Sequence, residues 1–418
     1  MIKIFSYRLY ELTMRLYLKY ATQAVIIIFI CTSIWYILDS QPAEHIVHGR
    51  DKASSSSAQL QFTSSSKIQR TSRRTSPTKN VVFLKVHKVG GSTLMNLFYR
   101  YADSKNLNLM VPIDTEGDHW NYLGFNTTLH PKNIVPLPRG ESYNILCNHV
   151  LYDKQAFLKI MPNDSVYITI LRNPVGQFVS AAMYYNFLSS LEQEARKHIG
   201  LQPIPELFHE YFTNRDRYSS VNSYHVRNKM SHDLGLPMSR FDDKVFIERF
   251  IQNLTRDYEL VMMMEYFTES VILMRRFLLW TLEDVIFIPL NVNMRKKKKN
   301  VMMYNDDIDA LSEWNYADFQ LYKHFEQRYM QQIEAEGPSL QQEVTYFNDV
   351  LEKIAAFCAS DKELYAVTES EWSKAFDVSK EQCKMMTSDA IPVIKTAIRK
   401  SRKRFNTWAM SNDVQVLT

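Results

Sequence analysis

Residues 81–93 carry the sequence VVFLKVHKVGGST, which predicts a strand, a tight turn and the start of a helix. Residues 81–86 are a short apolar run typical of a buried strand. Residues 94–101 place apolar side chains on one face of a helix. Ser92 is the predicted N-cap of this helix, because a serine side chain accepts hydrogen bonds from first-turn N–H groups.

The turn between strand and helix is suited to an anion. Open backbone N–H groups at a helix start, together with the helix dipole, favour a phosphate. Gly90 and Gly91 let the backbone approach closely, Ser92 and Thr93 add hydroxyl donors, and Lys88 adds positive charge. This lysine precedes the glycines, unlike the lysine of G-x-x-x-x-G-K-[ST], which argues against an ordinary nucleotide triphosphatase. Taken alone, a β–α turn without a ligand explains the segment equally well.

A second unit of the same kind occupies residues 166–174, with the sequence VYITILRNP. Arg172 follows its apolar strand, and Pro174 suits the first turn of the next helix. Ser180 lies about two helical turns further on. Arg is suited to bidentate phosphate contacts and Ser to a supporting hydrogen bond. Because open α/β sheets bind ligands at the carboxyl ends of their strands, two such units predict a ligand with two separate phosphate groups.

The composition favours a helix-rich α/β chain. The 418 residues are 45% hydrophobic and 23% charged, which excludes a disordered chain. Only 10 Gly and 14 Pro argue against a turn-rich all-β protein. Four Cys exclude a disulfide framework and a Cys-rich zinc module. A net charge of +5 does not by itself identify a polyanion-binding protein, so the placement of the charges decides.

The N-terminal segment predicts a membrane anchor. Residues 21–38 are uncharged and apolar and would span about 27 Å as a helix, enough for a thin bilayer. Residues 1–20 carry four Lys and Arg against one Glu, so the positive-inside rule places this tail in the cytosol. Residues 39–78 are rich in Ser and Thr, as in a flexible stem. We expect an uncleaved signal anchor and a type II membrane protein; a cleaved signal peptide is the alternative.

A lumenal location of the domain would allow a disulfide and glycosylation. Cys358 and Cys383 could form one disulfide in an oxidising compartment, leaving Cys147 free. Three N-x-S/T triplets, a number that chance also explains, would be open to glycosylation. These triplets begin at Asn126, Asn163 and Asn253.

The two anion-suited segments carry a family resemblance. Residues 83–93 resemble the 5′-phosphosulfate loop of the sulfotransferases, and residues 170–174 with Ser180 resemble their 3′-phosphate-binding segment. More specifically, the chain resembles the galactose-3-O-sulfotransferase family, galactosylceramide sulfotransferase included, over about residues 80–337. Further stretches that carry the resemblance are residues 144–149, 216–218, 227–228, 260–285, 314–315 and 321–325.

Three positions depart from the usual motifs of that family. Its loop usually has Thr where Val86 and Val89 stand here, and Asp where Asn173 follows the arginine. These departures are mild, because the residues that would contact the phosphates are all present.

The resemblance implies a sulfotransferase fold, an α/β domain with a P-loop-like parallel sheet flanked by helices, over residues 79–337. One transmembrane helix and the flexible stem would precede this lumenal domain in the Golgi membrane. Residues 338–418 would form a helical extension without an assigned role, rich in Lys and Arg at 400–404. The oligomeric state is left open.

The resemblance also implies a reaction. A sulfuryl group would pass from 3′-phosphoadenosine 5′-phosphosulfate to the 3-hydroxyl of galactose, on a galactosylceramide-like glycolipid or a glycoprotein glycan. Neither a metal ion nor a nucleic acid is expected as a partner. The residues implied to bind the donor are Lys85, His87, Lys88, Val89, Gly90, Gly91, Ser92, Thr93, Arg172 and Ser180.

Two residues are predicted to carry the chemistry. Lys88 would stabilise charge on the leaving phosphate. His149, which follows the apolar run at 143–147, would accept the proton of the acceptor hydroxyl, and it matches the position of the catalytic His in related glycan sulfotransferases. His87 is the alternative base. Glu265 would orient a catalytic group or the acceptor, or else form a salt bridge.

Other functions fit parts of the sequence. Sulfation of another sugar, such as a uronic acid, would use the same phosphate loops. A membrane-anchored glycan-binding protein with an inactive nucleotide fold is the non-enzyme alternative, against which the intact Lys88, Arg172 and His149 argue. A kinase is disfavoured, because the sequence lacks the Walker lysine and an evident pair of Mg²⁺-binding carboxylates.

Overall fold

The computed structural model of the chain describes residues 74–113, 121–124, 126–288, 303–388 and 390–417. The predicted cytosolic tail and anchor, residues 1–38, lie outside the described residues, as does most of the predicted stem. Among the residues that are described, no helix is long and apolar enough to cross a membrane.

A four-stranded parallel sheet lies at the centre of the described chain, which confirms the predicted α/β class. Every residue of its strands is buried, as expected where helices flank a parallel sheet. The strand predicted at 81–86 ends at Leu84, and the strand at 166–171 is confirmed. The strands are β1 (Val81–Leu84), β2 (Ile145–Leu146), β3 (Val166–Leu171) and β4 (Leu260–Met263), and their order in the sheet is β2-β1-β3-β4.

The register brings the carboxyl ends of three strands to one edge of the sheet. Leu84, the last residue of β1, pairs with Thr169 of β3. Leu171, the last residue of β3, pairs with Met263, the last residue of β4. The segments that leave β1 and β3 at this edge are the two predicted phosphate units, so both open where α/β sheets bind ligands.

Helices make up most of the rest of the described chain, with short 3₁₀ turns between some of them. The helices that precede β4 are α1 (Gly91–Ser104), α2 (Lys154–Leu158), α3 (Pro174–Ala182), α4 (Phe187–Ile199), α5 (Ile204–Thr213), α6 (Lys229–Asp233) and α7 (Lys244–Asp257). Those that follow are α8 (Phe267–Leu278), α9 (Leu282–Val285), α10 (Asn305–Trp314), α11 (Tyr316–Glu336), α12 (Pro338–Cys358), α13 (Lys380–Thr387) and α14 (Ala390–Ser411).

Two apolar clusters hold these elements together. The larger surrounds the sheet, where Phe98 of α1 stacks on Phe83 of β1 with ring centroids 5.0 Å apart. Burial of one such ring contributes about 1.5–3 kcal/mol, so α1 is fixed firmly behind the loop that precedes it. The second cluster joins α3, α4 and α5 around Phe178 and Phe208.

The C-terminal extension packs on the same core as the sheet. Its helices are joined by an antiparallel hairpin of β5 (Leu364–Val367) and β6 (Phe376–Ser379). Phe347 of α12 and Ile394 of α14 belong to the large cluster. A disulfide joins Cys358 to Cys383, and Cys147 is a buried free thiol, which confirms the predicted pairing.

Candidate active site at the carboxyl edge of the sheet

The loop between β1 and α1 ends in a glycine that caps the helix. Gly90 is the N-cap with φ +85°, so the prediction that Ser92 caps α1 was wrong. A Cβ on Gly90 would lie 2.4 Å from Sδ of Met264, so both the positive φ and the close approach favour glycine here. No side chain caps α1, so its first-turn N–H groups are available to an anion.

The other predicted loop residues differ in how far their side chains are buried. The side chain of Val89 is buried in the core, so only its backbone can contribute to binding. Ser92 and Thr93 are half-buried in the first turn of α1, where their hydroxyls are next to the available N–H groups.

Lys88 holds its ammonium group over an aromatic ring. The residue has a positive φ of 64°, and its Nζ lies 3.5 Å from the ring centroid of Tyr184. Tyr184 is 60% exposed, and a cation over a tyrosine face is attracted by the ring quadrupole. The charge of Lys88 is therefore positioned at the accessible side of the loop. Tyr184 is a residue of the site that was not predicted from the sequence.

Arg172 connects the two predicted phosphate units directly. Its Nη1 donates a hydrogen bond of 3.2 Å to the backbone oxygen of Lys88. Asn173 caps α3, and its side chain accepts from the N–H groups of Val175 and Gly176. An aspartate would cap the helix equally well, which explains why Asn173 is a mild departure. Ser180 is buried further along α3.

Glu265 has a positioning role at this junction. One carboxylate oxygen accepts from the backbone N–H of Asn173 at 2.8 Å. The other accepts from the hydroxyl of Tyr322 at 3.1 Å. Glu265 thus holds the segment that carries Arg172; that it orients a catalytic group or the acceptor stays a prediction.

Lys85 lies beneath the loop rather than on its surface. Its Nζ is 3.1 Å from Oδ1 of Asn121 and 3.3 Å from Sδ of Met95. A Cβ on Gly91 would lie 3.0 Å from its Cγ, so the loop covers the lysine closely. Burial lowers the pKa of Lys85 to about 7.

His87 forms a buried carboxylate–imidazole pair. Its Nδ1 lies 2.6 Å from Oδ2 of Asp233, which also accepts from the backbone N–H of His87 at 2.8 Å. Nδ1–H donates to the carboxylate, so Nε2 of the neutral ring is an acceptor. The hydroxyl of Tyr122 lies 3.2 Å from this Nε2. Burial lowers the pKa of His87 below its ordinary value, although Asp233 opposes the shift.

His149 stacks on His87 but lacks a carboxylate partner among the described residues. The ring centroids are 3.9 Å apart with an interplanar angle of 16°. Nδ1 of His149 donates to the backbone oxygen of Lys85 at 2.7 Å, so its Nε2 is also an acceptor. Burial lowers the pKa of His149 well below its ordinary value, and repulsion from the protonated form of His87 and from Lys85 adds to the shift.

The two imidazoles therefore differ in the cost of taking up a proton. Asp233 would stabilise an imidazolium on His87, whereas the charged groups acting on His149 are cationic. Two stacked rings this close cannot both be protonated without strong repulsion. The structure brings the predicted base and its alternative into contact, and the geometry favours His87 as the proton acceptor.

A buried lysine balances the charge of Asp233. Lys229, only 1% exposed, places its Nζ 3.0 Å from Oδ1 of Asp233. Burial alone would raise the pKa of Asp233, but His87 and Lys229 outweigh it and hold the pKa below its ordinary value. Lys229 and Asp233 both belong to α6 and lie one turn apart, so this short helix presents the carboxylate of Asp233 to His87.

A second carboxylate fixes the start of α6. Asp318 of α11 is fully buried and accepts from the backbone N–H groups of Met230 and Ser231, at 3.1 and 2.7 Å. Its own N–H donates to Oδ1 of Asn228, and the N–H of Asn228 donates to Oδ1 of Asn315. Burial raises the pKa of Asp318 to about 6, against the lowering effect of the hydrogen bonds from Ser231 and Met230.

Aromatic rings extend the site beyond His87. His225 stacks on Tyr185 with centroids 4.1 Å apart, and its ring lies 6.1 Å from that of His87. Burial lowers the pKa of His225 to about 4. Within the described ranges, no group of three His, Cys, Asp or Glu side chains is placed to hold a metal ion.

Comparison with known proteins identifies the family. The family model described as galactose-3-O-sulfotransferase matches residues 12–376. The chain belongs to the galactose-3-O-sulfotransferase family. The match includes the loop after β1, the segment after β3 and the α6 helix that supplies Asp233.

Named relatives agree with this assignment. Galactose-3-O-sulfotransferase 2 of Mus musculus is 30% identical over 292 residues, which cover 69% of this chain and 71% of the relative. Galactosylceramide sulfotransferase of Homo sapiens is 27% identical over 68% of this chain and 64% of its own length. Galactose-3-O-sulfotransferase 3 of Bos taurus has the same identity and the same coverage, at 27%, 68% and 64%. The members of the family to which this chain is similar therefore carry different names.

Removal of the Asp318 carboxylate should reduce both stability and turnover. Asp318→Ala leaves two buried N–H groups of α6 without acceptors, which should cost about 2–5 kcal/mol in unfolding free energy. Because α6 carries Asp233, kcat should fall while nucleotide affinity changes little. Urea unfolding, steady-state kinetics and calorimetry would measure the three quantities.

Asp153→Ala is the matched control. Asp153 also accepts from two N–H groups at the start of a five-residue helix, α2, but it is exposed. It should cost about 1 kcal/mol and leave kcat unchanged. Unchanged turnover in a folded Asp318→Ala protein would show that α6 does not position the site.

Proposed function

We propose that this chain transfers a sulfuryl group from 3′-phosphoadenosine 5′-phosphosulfate to the 3-hydroxyl of galactose on a glycolipid or glycoprotein glycan. Family membership supports sulfotransfer to galactose. The observation that carries the proposal is the pair of His87 and Asp233, which puts a proton acceptor on the same loop as an uncapped helix N-terminus. A glycan-binding protein with an inactive fold has no need of that combination.

The groups around the loop fit a donor with two separated phosphates. The open N–H groups of α1 and the ammonium group of Lys88 suit the phosphosulfate end. Arg172, which follows β3 at the same edge, suits the 3′-phosphate. The hydrogen bond from Arg172 to the Lys88 carbonyl ties the two subsites together.

The proposed reaction is a single in-line transfer. The bond between sulfur and the bridging phosphate oxygen breaks, and a bond forms between sulfur and O3 of galactose. The hydroxyl proton passes to Nε2 of His87, and Asp233 stabilises the resulting imidazolium. The electron pair of the broken bond stays on the departing phosphate, where Lys88 and the N–H groups of α1 offset its charge.

The proposal assigns the base to His87 instead of His149. In this assignment the ring of His149 stays neutral, because a proton on the stacked ring of His87 would repel a second proton on His149. Tyr185 and His225 would form a flat wall for the acceptor sugar beside the base.

The proposal includes a lumenal Golgi location behind one membrane anchor. The disulfide between Cys358 and Cys383 supports an oxidising compartment. The predicted glycosylation sites are all exposed, at Asn126, Asn163 and Asn253.

A transfer assay tests the function. Full-length protein would receive radiolabelled donor together with galactosylceramide, lactosylceramide, a galactose-terminated glycoprotein glycan or a uronic-acid glycan. We expect label on O3 of galactose. Label on the uronic acid alone would establish the alternative sugar, and binding of 3′-phosphoadenosine 5′-phosphate without any transfer would establish the glycan-binding alternative.

Arg172→Ala should weaken nucleotide binding. Loss of a charge-assisted phosphate contact should cost about 1.5–3 kcal/mol, or roughly 10- to 150-fold in Kd for 3′-phosphoadenosine 5′-phosphate. Ser180→Ala should have a smaller effect, because a neutral hydroxyl makes the weaker bond. Calorimetric titration would measure both. Unchanged affinity in folded Arg172→Ala would remove the segment after β3 from the donor site.

The two histidines should differ in kinetic effect. His87→Ala should lower kcat by about 10²–10⁴ through loss of the base, and Asp233→Asn should also lower it. Wild-type activity should fall as pH drops through the His87 pKa, because the protonated ring cannot accept the hydroxyl proton. Since burial lowers that pKa, the decline should lie below about pH 6.5.

His149→Ala is the discriminating control for this assignment. If His87 is the base, His149→Ala should keep the acid limb of the pH profile and lose less turnover than His87→Ala. A larger loss in His149→Ala, together with disappearance of that limb, would return the role to His149.

A further inference from the structure

The last helix of the described chain is unusually basic. Residues 390–411, which form α14, contain six Lys and Arg and no Asp or Glu. This helix lies beyond residue 376, where the match to the family model ends. Like charges three and four residues apart repel one another on a helix, so such a sequence is unfavourable without compensating anions.

Half of these cations attach the helix to the body of the protein. Lys400 pairs with Asp103 at 2.5 Å, and Arg404 pairs with Glu141 at 2.9 Å. On the other flank, Arg402 donates to the backbone oxygen of Ile113, between α1 and β2. Buried Ile394 and Ile398 add apolar contacts. The position of α14 is therefore fixed from both sides.

The other three cations face outward between these two flanks. Lys395, Arg399 and Lys403 are all exposed and lie four residues apart, about 6 Å per step along the helix. Among the described residues, none of the three has a carboxylate within ion-pair distance; Arg399 donates only to the Thr396 hydroxyl, at 3.2 Å. These three residues are named the outer row.

We propose that the outer row is a docking surface for a linear anionic glycan, a chain of sugars that carries repeated sulfate or carboxylate groups. Its cations are held on a helix, repeat in one direction and have no carboxylate partner in the described part of the chain, so each is available to one anionic group of the glycan. Such an interaction lies outside the proposed transfer reaction, since none of the three residues belongs to the site at the sheet edge.

The width of the positive surface favours a linear partner over a membrane. Carboxylates of Asp103 and Glu141 stand beside the row, paired with Lys400 and Arg404. Because these ion pairs are neutral, the positive charge without a carboxylate partner forms a single line on the described surface of the helix. One polymer strand can follow such a line, whereas a flat anionic lipid surface is matched better by a broad patch of cations.

A charge-neutralised variant tests the proposal in the full-length protein. The probe is heparin, compared with vesicles containing anionic lipid, in about 0.1 M salt. The test variant combines Lys395→Gln, Arg399→Gln and Lys403→Gln. Its heparin affinity should fall about tenfold, which corresponds to about 0.5 kcal/mol for each of three exposed ion pairs. The charge-preserving pair Lys395→Arg and Lys403→Arg should retain wild-type affinity.

The control variant removes three positive charges at positions outside the outer row. Lys159, Lys323 and Lys374 are exposed on other elements, and their combined change to Gln should alter heparin affinity less than about twofold. Equal losses in both triple variants, or no loss in the outer-row variant, would overturn the proposal. Loss of vesicle binding without loss of heparin binding would overturn it in favour of a membrane surface. Turnover on a small soluble galactoside should be unchanged, which separates this result from the proposed activity.

Discussion

The buried carboxylate of Asp233 is the constraint on which the candidate site depends. It accepts from both the backbone N–H and the side chain of His87 and forms an ion pair with Lys229. A buried charge is costly unless its hydrogen-bonding and charge partners are complete. The geometry of the loop after β1 is therefore coupled to the position of α6, and each maintains the other.

This coupling explains why the site needs residues far from the loop. Asp318, on α11, accepts hydrogen bonds from the start of α6. Glu265, which follows the end of β4, accepts one from the segment that carries Arg172. Each contact is a carboxylate that accepts backbone N–H groups, an interaction stronger than a neutral hydrogen bond. Three strand ends and two remote helices thus fix one short loop, as catalysis by a preorganised site requires.

The sequence revealed the parts of this arrangement that have local signals. An apolar run followed by glycines predicted β1 and its loop, and Pro174 after a second run predicted β3 and α3. The N-cap of α1 was misplaced at Ser92. The cap is Gly90, two residues earlier, because glycine adopts the positive φ found there. Asp233 and Asp318 were missed because they act across 146 and 87 residues of chain, and nothing in their spacing marks them. The resemblance had reached their neighbours, at 227–228 and 314–315, without assigning a role to either carboxylate.

Adjacent loop residues can serve different partners because burial alternates along the backbone. His87 and Val89 are buried, whereas Lys88 and Gly90 are only half-buried. The inward residues connect the loop to the Asp233 network and the core, and the outward ones give it a cation and an open helix start. The positive φ of Lys88 turns its side chain towards Tyr184 instead of the histidine stack. The charge that would stabilise the leaving phosphate is thereby kept apart from the imidazole that must remain neutral, although the two residues are consecutive.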